Sequence, residues 1–220
     1  MAKVPSVIKQ IQEYKTQEIN YAFQKSISYS QLSMYNSCPK KWSLQYRDGH
    51  KVFTSSINTV FGTAIHETIQ HYINTIYNES GAAADKINLE EYFEERFRES
   101  YSKEYQNNNK VHFSDPVEMR EFYEDGCLII DAFKKDKIKW FGVRGWKLIG
   151  CEVPIVYPVH EHQNLYMKGF IDLVVYDETY DKYYIYDIKT SYKGWVDKEK
   201  KNQTKMQQIL LYKKYFHYSP

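Results

Sequence analysis

The spacing of apolar side chains predicts three long helices in the first two-thirds of the chain. Over residues 60–77, apolar residues recur every three or four positions, as on the buried face of an amphipathic helix: Phe61, Ile65, Ile69, Tyr72, Ile73 and Ile76. Residues 89–105 and 117–139 show the same spacing. Residues 78–88 and 106–116 are rich in turn-forming residues, which predicts loops between these helices.

The period of the pattern changes after the third helix. Segments 146–157, 166–176 and 183–190 are rich in β-branched and aromatic residues, which predicts three strands. The hexapeptide DETYDK at 177–182 predicts a hairpin loop, so the last two strands should be antiparallel neighbours. Residues 198–217 return to a helical composition. Helices followed by three strands and a helix indicate an α+β domain.

A shorter helix is predicted in the segment SYSQLSMYNSCPKKW. Ser28 or Ser30 can cap its start. Its end is expected at Cys38, because the residue before a proline is pushed out of the helical region. Residues 1–27 form a polar lead-in with little to bury.

The length and composition limit the class of protein. A chain of 220 residues can bury one substantial core, and we expect a single domain over residues 28–220, with a helical insert at about 78–145. The sequence has no apolar run long enough to span a bilayer and no signal peptide at its start, so we expect a soluble cytoplasmic protein. The heavy use of Lys, Asn, Ile and Tyr is compatible with a viral or phage source.

The cysteines argue against a disulfide framework or a zinc site, and the net charge gives no general sign of nucleic-acid binding. Cys38, Cys127 and Cys151 are widely spaced and odd in number, which argues against a disulfide framework and a CxxC-type zinc site. A net charge of +2 gives no global signature of nucleic-acid binding. A lysine cluster at 193–205 and the 22 tyrosines are weak evidence for it on their own.

Charged residues interrupt the apolar strands at two places. These are Asp172, in the sequence GFID, and Asp187-Ile188-Lys189. Strand alternation predicts that Asp187 and Lys189 project from one side, and the hairpin should bring Asp172 beside Asp187. Carboxylates so placed must be paired or bind a metal. The alternatives are therefore a Mg²⁺-type site with a lysine that assists phosphate chemistry, or an ion pair of Lys189 with Asp187 or Asp172.

Four further polar residues are unremarkable when taken singly. His66, in FGTAIHE, lies one residue off the apolar stripe, and a lone helical histidine is usually structural. Glu152 interrupts the first predicted strand. Gln208 and Tyr212 are four residues apart on the last predicted helix and so share a face.

Taken in order, these segments resemble the PD-(D/E)xK nuclease superfamily, and within it the RecB-like branch that includes CRISPR-associated exonucleases. The resemblance follows SYSQLSMYNSCPKKW, FGTAIHE, the Glu-bearing strand, GFIDLVV, YIYDIKTS and QILLY, over roughly residues 28–212. It implies a restriction-endonuclease-like core, in which a mixed sheet of about three to four strands is flanked by helices.

The resemblance also implies a metal site. It assigns His66, Asp172, Asp187 and the backbone carbonyl of Ile188 to Mg²⁺ or Mn²⁺, with Lys189 as the catalytic lysine. In this assignment, water attacks a DNA phosphodiester and the bond is hydrolysed.

The remaining motif residues receive supporting roles from the same resemblance. Glu152 would be a further metal ligand or would support the ligands, and Gln208 and Tyr212 would lie beside the site near DNA. Some relatives bind an iron–sulfur cluster through four cysteines. Cys38 matches the first of these, but no cysteine follows Asp187, so we expect no cluster.

The sequence therefore predicts a metal-dependent deoxyribonuclease. We expect an exonuclease acting on ends of single- or double-stranded DNA in replication, repair or recombination, with a helicase or recombination partner and no membrane association. One alternative is a DNA-binding or partner-binding module that retains the fold without catalysis. Another is an interaction protein with a structural Asp187–Lys189 pair. The family core normally has a further strand near Pro220, so the chain is expected to be trimmed or part of a longer protein.

Overall fold

The computed structural model describes residues 25–50, 55–160 and 165–190, with the side chains of Lys25 and of residues 155–160 excepted. Each statement on the fold below refers to these residues. The elements in chain order are β1 (Lys25–Ser28), α1 (Tyr29–Ser37), α2 (Pro39–Trp42), a π-helical segment (Ser43–Arg47), α3 (Ile57–Asn78), α4 (Gly81–Ala84), α5 (Leu89–Asn107), α6 (Pro116–Phe141), β2 (Trp146–His160), β3 (Leu165–Asp177) and β4 (Lys182–Tyr186).

The chain divides into two compact units. The described parts of the first unit are residues 25–50, 152–160 and 165–172, and those of the second are 55–151 and 173–190. Strands β2 and β3 contribute residues to both units. The prediction of one domain over residues 28–220 stays a prediction.

The four described strands form one mixed sheet. β3 pairs with β1 in parallel, from Lys25↔Leu165 onward, and with β4 in antiparallel register. β2 is the other neighbour of β3. This arrangement, flanked by helices, confirms the predicted α+β class with a restriction-endonuclease-like mixed sheet.

The second unit has a continuous apolar core. Its fully buried residues come from α3, α4, α5, α6 and the C-terminal half of β3. The largest are Tyr72, Phe93, Ile65, Ile73, Leu89, Ile130 and Leu173. At Gly126 on α6, an added Cβ would lie 2.3 Å from two ring carbons of Phe93 on α5. Only a glycine allows the two helices to approach so closely at this point.

The long helices begin and end close to where the apolar spacing predicts. Ser28, one of the two predicted caps, accepts a hydrogen bond from the Gln31 amide at 3.3 Å, and α1 ends before Cys38. Asp115 caps α6 in the same way, with Pro116 at the first helical position. No described helix is long and apolar enough to cross a membrane. The helix expected over 198–217 lies outside the described residues.

Three local predictions were wrong. Residues 25–27, expected in the lead-in, belong to β1, because pairing with β3 fixes them rather than any local pattern. The predicted loop 78–88 contains α4, since Ser80 caps a run of helix-forming alanines. β4 ends at Tyr186 instead of reaching residue 190.

The early end of β4 has an electrostatic explanation. The last paired residues are Leu173 and Tyr186, so the next pair in this register would be Asp172 and Asp187. Two carboxylates directly opposite one another destabilise a ladder. The sheet pairing therefore stops where the two predicted site residues begin.

Candidate active site at the strand ends

Two of the sequence-predicted carboxylates lie close together in the first unit. A carboxylate oxygen of Glu152 is within 4.8 Å of one of Asp172. Two oxygens that each bind one divalent ion at about 2.0–2.6 Å are at most about 5 Å apart. The spacing and the hard oxygen donors of this pair therefore fit a cation such as Mg²⁺ or Mn²⁺.

The environments of these two carboxylates differ. Asp172 is half-buried on β3 between Ile171 and Leu173, whose side chains are buried. Glu152 is exposed, and its backbone has φ +50° within β2. A left-handed conformation costs a non-glycine residue about 1–3 kcal/mol, and such strain occurs preferentially at functional sites. This conformation also interrupts the regular alternation of side chains along β2. The direction of the Glu152 side chain could therefore not be predicted from strand alternation.

Asp187 and Lys189 form an ion pair in the second unit. The Lys189 ammonium donates to a carboxylate oxygen of Asp187 at 2.7 Å, and 44% and 29% of the two side chains are exposed. Ion pairs this open to solvent contribute about 0–1 kcal/mol to stability. The Asp187–Lys189 ion pair, which the alternative of a structural pair requires, is therefore present. It contributes little to the stability of the fold.

The side chain of Ile188 points in the opposite direction from those of its neighbours Asp187 and Lys189. Its side chain is half-buried against the core, whereas its neighbours Asp187 and Lys189 are exposed. The expectation that both charges share one side is met, although the segment is not a strand. The role of the Ile188 carbonyl as a metal ligand stays a prediction.

His66 is half-buried on α3 and follows Ile65, which is fully buried in the core. Gly62 lies one turn earlier on the same face, and a Cβ there would be 3.3 Å from the Thr190 hydroxyl. The helix face with Gly62 is therefore turned towards Thr190, the residue directly after Lys189. This close approach of Gly62 and Thr190 was not predicted, although the two residues lie inside the motifs FGTAIHE and YIYDIKTS.

Gln208, Tyr212 and the lysine cluster at 193–205 lie outside the described residues. The three cysteines are free thiols. Cys38 is exposed, and its sulfur caps α2 by accepting a hydrogen bond from the Lys41 amide at 3.4 Å.

A known protein family matches most of the chain. The model of the PD-(D/E)XK nuclease superfamily matches residues 26–218, a span that includes every candidate residue from His66 to Tyr212. A comparison with curated proteins gives no significant match.

Proposed function

Because the chain belongs to the PD-(D/E)XK nuclease superfamily, we propose that it is a DNA nuclease that requires Mg²⁺ or Mn²⁺ and degrades DNA from its ends. The observation that carries the proposal is the Glu152–Asp172 pair, whose oxygens are spaced for one cation. Within the superfamily we assign it to the RecB-like branch, on the ordered motifs from the Ser28 segment to Tyr212.

The donor set we propose contains His66, Asp172, Asp187 and the carbonyl of Ile188, with Glu152 as a further ligand. Oxygen donors suit Mg²⁺, and an imidazole among them makes Mn²⁺ equally suitable. A divalent cation held there would polarise the phosphodiester and lower the pKa of a water molecule. The end of the β3–β4 ladder supports including Asp187, because it and Asp172 directly follow and precede the last paired residues.

Lys189 would act on the phosphate. Its ammonium is 2.7 Å from an oxygen of Asp187 and its side chain is 44% exposed, so it can exchange this partner for a non-bridging phosphate oxygen. There it would stabilise the negative charge that develops during attack, or orient the water. Asp187 holds the ammonium at the site before substrate arrives.

The choice of DNA ends and of a role in repair or recombination rests on the resemblance to RecB-like exonucleases. Gln208 and Tyr212 would contact the DNA beside the site. The helical insert, which contains α4, α5 and α6, would shape the path of the strand.

A gel assay tests the proposal. End-labelled linear DNA and closed circular DNA are incubated with Mg²⁺, Mn²⁺ or EDTA, with wild-type protein and the variants Lys189→Ala and Asp187→Ala. We expect metal-dependent loss of linear DNA, sparing of circles, and a decrease of about 100-fold or more in Lys189→Ala. Lys182→Ala is the matched control, since Lys182 is an exposed lysine on β4 of the same hairpin.

The outcomes separate the alternatives. Degradation of circles would make the enzyme an endonuclease. Folded protein that binds DNA but hydrolyses none with either metal would indicate a binding module. A Lys189→Ala variant that loses stability while metal binding is absent even in the wild type would favour the structural ion pair.

A further inference from the structure

Two tyrosine hydroxyls from other elements bind the C-terminal end of α6. The Tyr77 hydroxyl, on α3, donates to the backbone carbonyl of Phe141 at 2.9 Å. The Tyr186 hydroxyl, at the end of β4, donates to the backbone carbonyl of Trp140 at 3.2 Å. The last carbonyls of a helix have no amide partner within the helix itself. The two tyrosines therefore supply hydrogen bonds that α6 cannot make internally.

The ring of Tyr186 adds a second attachment at the same place. It packs against the ring of Phe141, with centroids 5.0 Å apart and planes inclined by 55°. Tyr186 also lies against the apolar core of the second unit, as does Ile188 two residues later. Asp187 and Lys189, the residues that alternate with them, are exposed. The segment is therefore fixed to the core through Tyr186 and Ile188 and presents its two charges to solvent.

The β3–β4 ladder does not extend to these two charges. Its last pair is Leu173 and Tyr186, so Tyr186 is the last residue that pairing with β3 places. Because the peptide bond is planar and stiff, a displacement of Tyr186 is passed on to Asp187, the next residue. The Lys189 ammonium, 2.7 Å from an oxygen of Asp187, would then lose its partner or move with it. The attachment of Tyr186 to α6 thus bears directly on both charged groups.

We propose that Tyr186 is a positioning residue for the candidate active site. Its hydroxyl, bonded to the end of α6, fixes the point of the chain from which Asp187 and Lys189 project. We assign it no contact with metal or substrate. The proposal rests on the function proposed above, because it gives Tyr186 a part in the geometry of that reaction. Misplacing a reacting group by about 1 Å can cost about 100-fold in rate, so the loss of this anchor should slow hydrolysis.

Tyr77 offers a matched comparison, because a hydroxyl that only stabilises α6 would give the same structure. Like Tyr186, it is half-buried and its hydroxyl binds one of the last two carbonyls of α6. It lies near the end of α3, however, whereas Tyr186 directly precedes Asp187. Its hydrogen bond is the shorter of the two, so its loss should cost at least as much stability. A role limited to stability would therefore appear in both phenylalanine variants.

Steady-state hydrolysis of linear DNA with Mn²⁺ compares wild type, Tyr186→Phe and Tyr77→Phe. Each substitution keeps the ring and removes only the hydroxyl. We expect Tyr186→Phe to lower kcat about tenfold and to keep KM within about twofold, because the reacting groups are displaced while DNA binding is unchanged. Tyr77→Phe should keep both constants within about twofold of wild type. Urea unfolding should show a loss of stability in both variants.

Backbone ¹⁵N order parameters, measured in EDTA, test the positioning without hydrolysis. A rigid backbone gives an order parameter of about 0.85 and a flexible one less than about 0.6. We expect the values at Asp187 and Lys189 to fall in Tyr186→Phe and to stay at the wild-type level in Tyr77→Phe. A wild-type protein that hydrolyses no DNA with Mg²⁺ or Mn²⁺ would refute the nuclease. The order parameters would then still decide whether Tyr186 positions the two charged residues.

The proposal is overturned if Tyr186→Phe and Tyr77→Phe match in kcat or in the order parameters of this segment. An increase in KM alone in Tyr186→Phe would also overturn it, because the hydroxyl would then act on DNA binding. If Tyr186→Phe does not fold, Phe141→Leu removes the ring that Tyr186 packs against and keeps the hydroxyl. The same loss of order at Asp187 and Lys189 is then expected, and unchanged order would refute the positioning role.

Discussion

Neighbouring residues on the same elements belong to two different regions of this protein, the apolar core and the candidate active site. On α3, Ile65 is fully buried whereas His66 is half-buried on the next position around the helix. On β3, Leu173 is fully buried whereas Asp172, directly before it, carries a carboxylate beside Glu152. Each element therefore contributes one residue to the core and the adjacent residue to the proposed site.

The two regions are held together by different forces. The core depends on close packing of large side chains, such as the edge-to-face contact of Phe61 and Phe93 with centroids 6.1 Å apart. The candidate site contains solvent-accessible charges, and the Asp187–Lys189 ion pair contributes about 1 kcal/mol at most to stability. Substitutions in the core should therefore change stability, and substitutions in the site should change metal binding and catalysis.

The largest effect is expected from Asp172→Ala. Removing this proposed metal ligand should lower the proposed DNA hydrolysis at least about 1,000-fold, equivalent to roughly 4 kcal/mol. The unfolding free energy in EDTA should change by roughly 1 kcal/mol or less. Mn²⁺ should raise the melting temperature of the wild type, because a ligand that binds only the folded state stabilises it, and should not raise that of the variant.

Asp125→Ala is the control for this substitution, since Asp125 is an exposed aspartate on α6. It should keep both activity and the Mn²⁺-induced shift. If Asp172→Ala instead unfolded the protein while leaving the metal shift of the folded fraction intact, the assignment of Asp172 to the site would be wrong.

A substitution in the core should lower stability and leave metal binding unchanged, the reverse of what is expected for Asp172→Ala. In Gly126→Ala the new methyl group would meet the Phe93 ring at 2.3 Å, so the helices must separate or the ring must shift. We expect a loss of about 1–3 kcal/mol in unfolding free energy, with no change in metal affinity. Urea unfolding and Mn²⁺ titration measure the two quantities.

A double-mutant cycle sharpens this prediction. Phe93→Leu removes the ring, so Gly126→Ala should cost less in the Phe93→Leu background than in the wild type. Equal costs in both backgrounds would show that the contact between α5 and α6 is not the source of the destabilisation.

The same contrast explains which features the sequence could predict. The helices α3, α5 and α6 could be predicted because their apolar spacing is local. Asp172, Asp187 and Lys189 were singled out because charges interrupt apolar strands, and their role in the site stays a prediction. Strand β1 was missed because its four residues are set by pairing with β3. The end of β4 and the contact of Gly62 with Thr190 depend on which distant residues come to face each other, and no local pattern contains that information.

The smallest effect is expected at the hairpin tip, which belongs to neither region. The Tyr176 hydroxyl donates to Asp181 at 2.6 Å, and this hydrogen bond, together with burial, raises the pKa of Tyr176 to about 12. The neutral hydroxyl is thus favoured in the folded state. Its contribution is complete below pH 10, the pKa of an unfolded tyrosine, and is lost as the pH rises towards 12.

Tyr176→Phe should therefore cost about 1 kcal/mol in unfolding free energy at pH 8, with DNA hydrolysis unchanged. The difference between wild type and variant should shrink between pH 10 and pH 12, which urea unfolding across this range would measure. A constant difference over the range would mean that the hydroxyl does not titrate there. A large loss of hydrolysis at pH 8 in a stable variant would mean that the hairpin tip also positions Asp187, because β4 is the only element between them in the sequence.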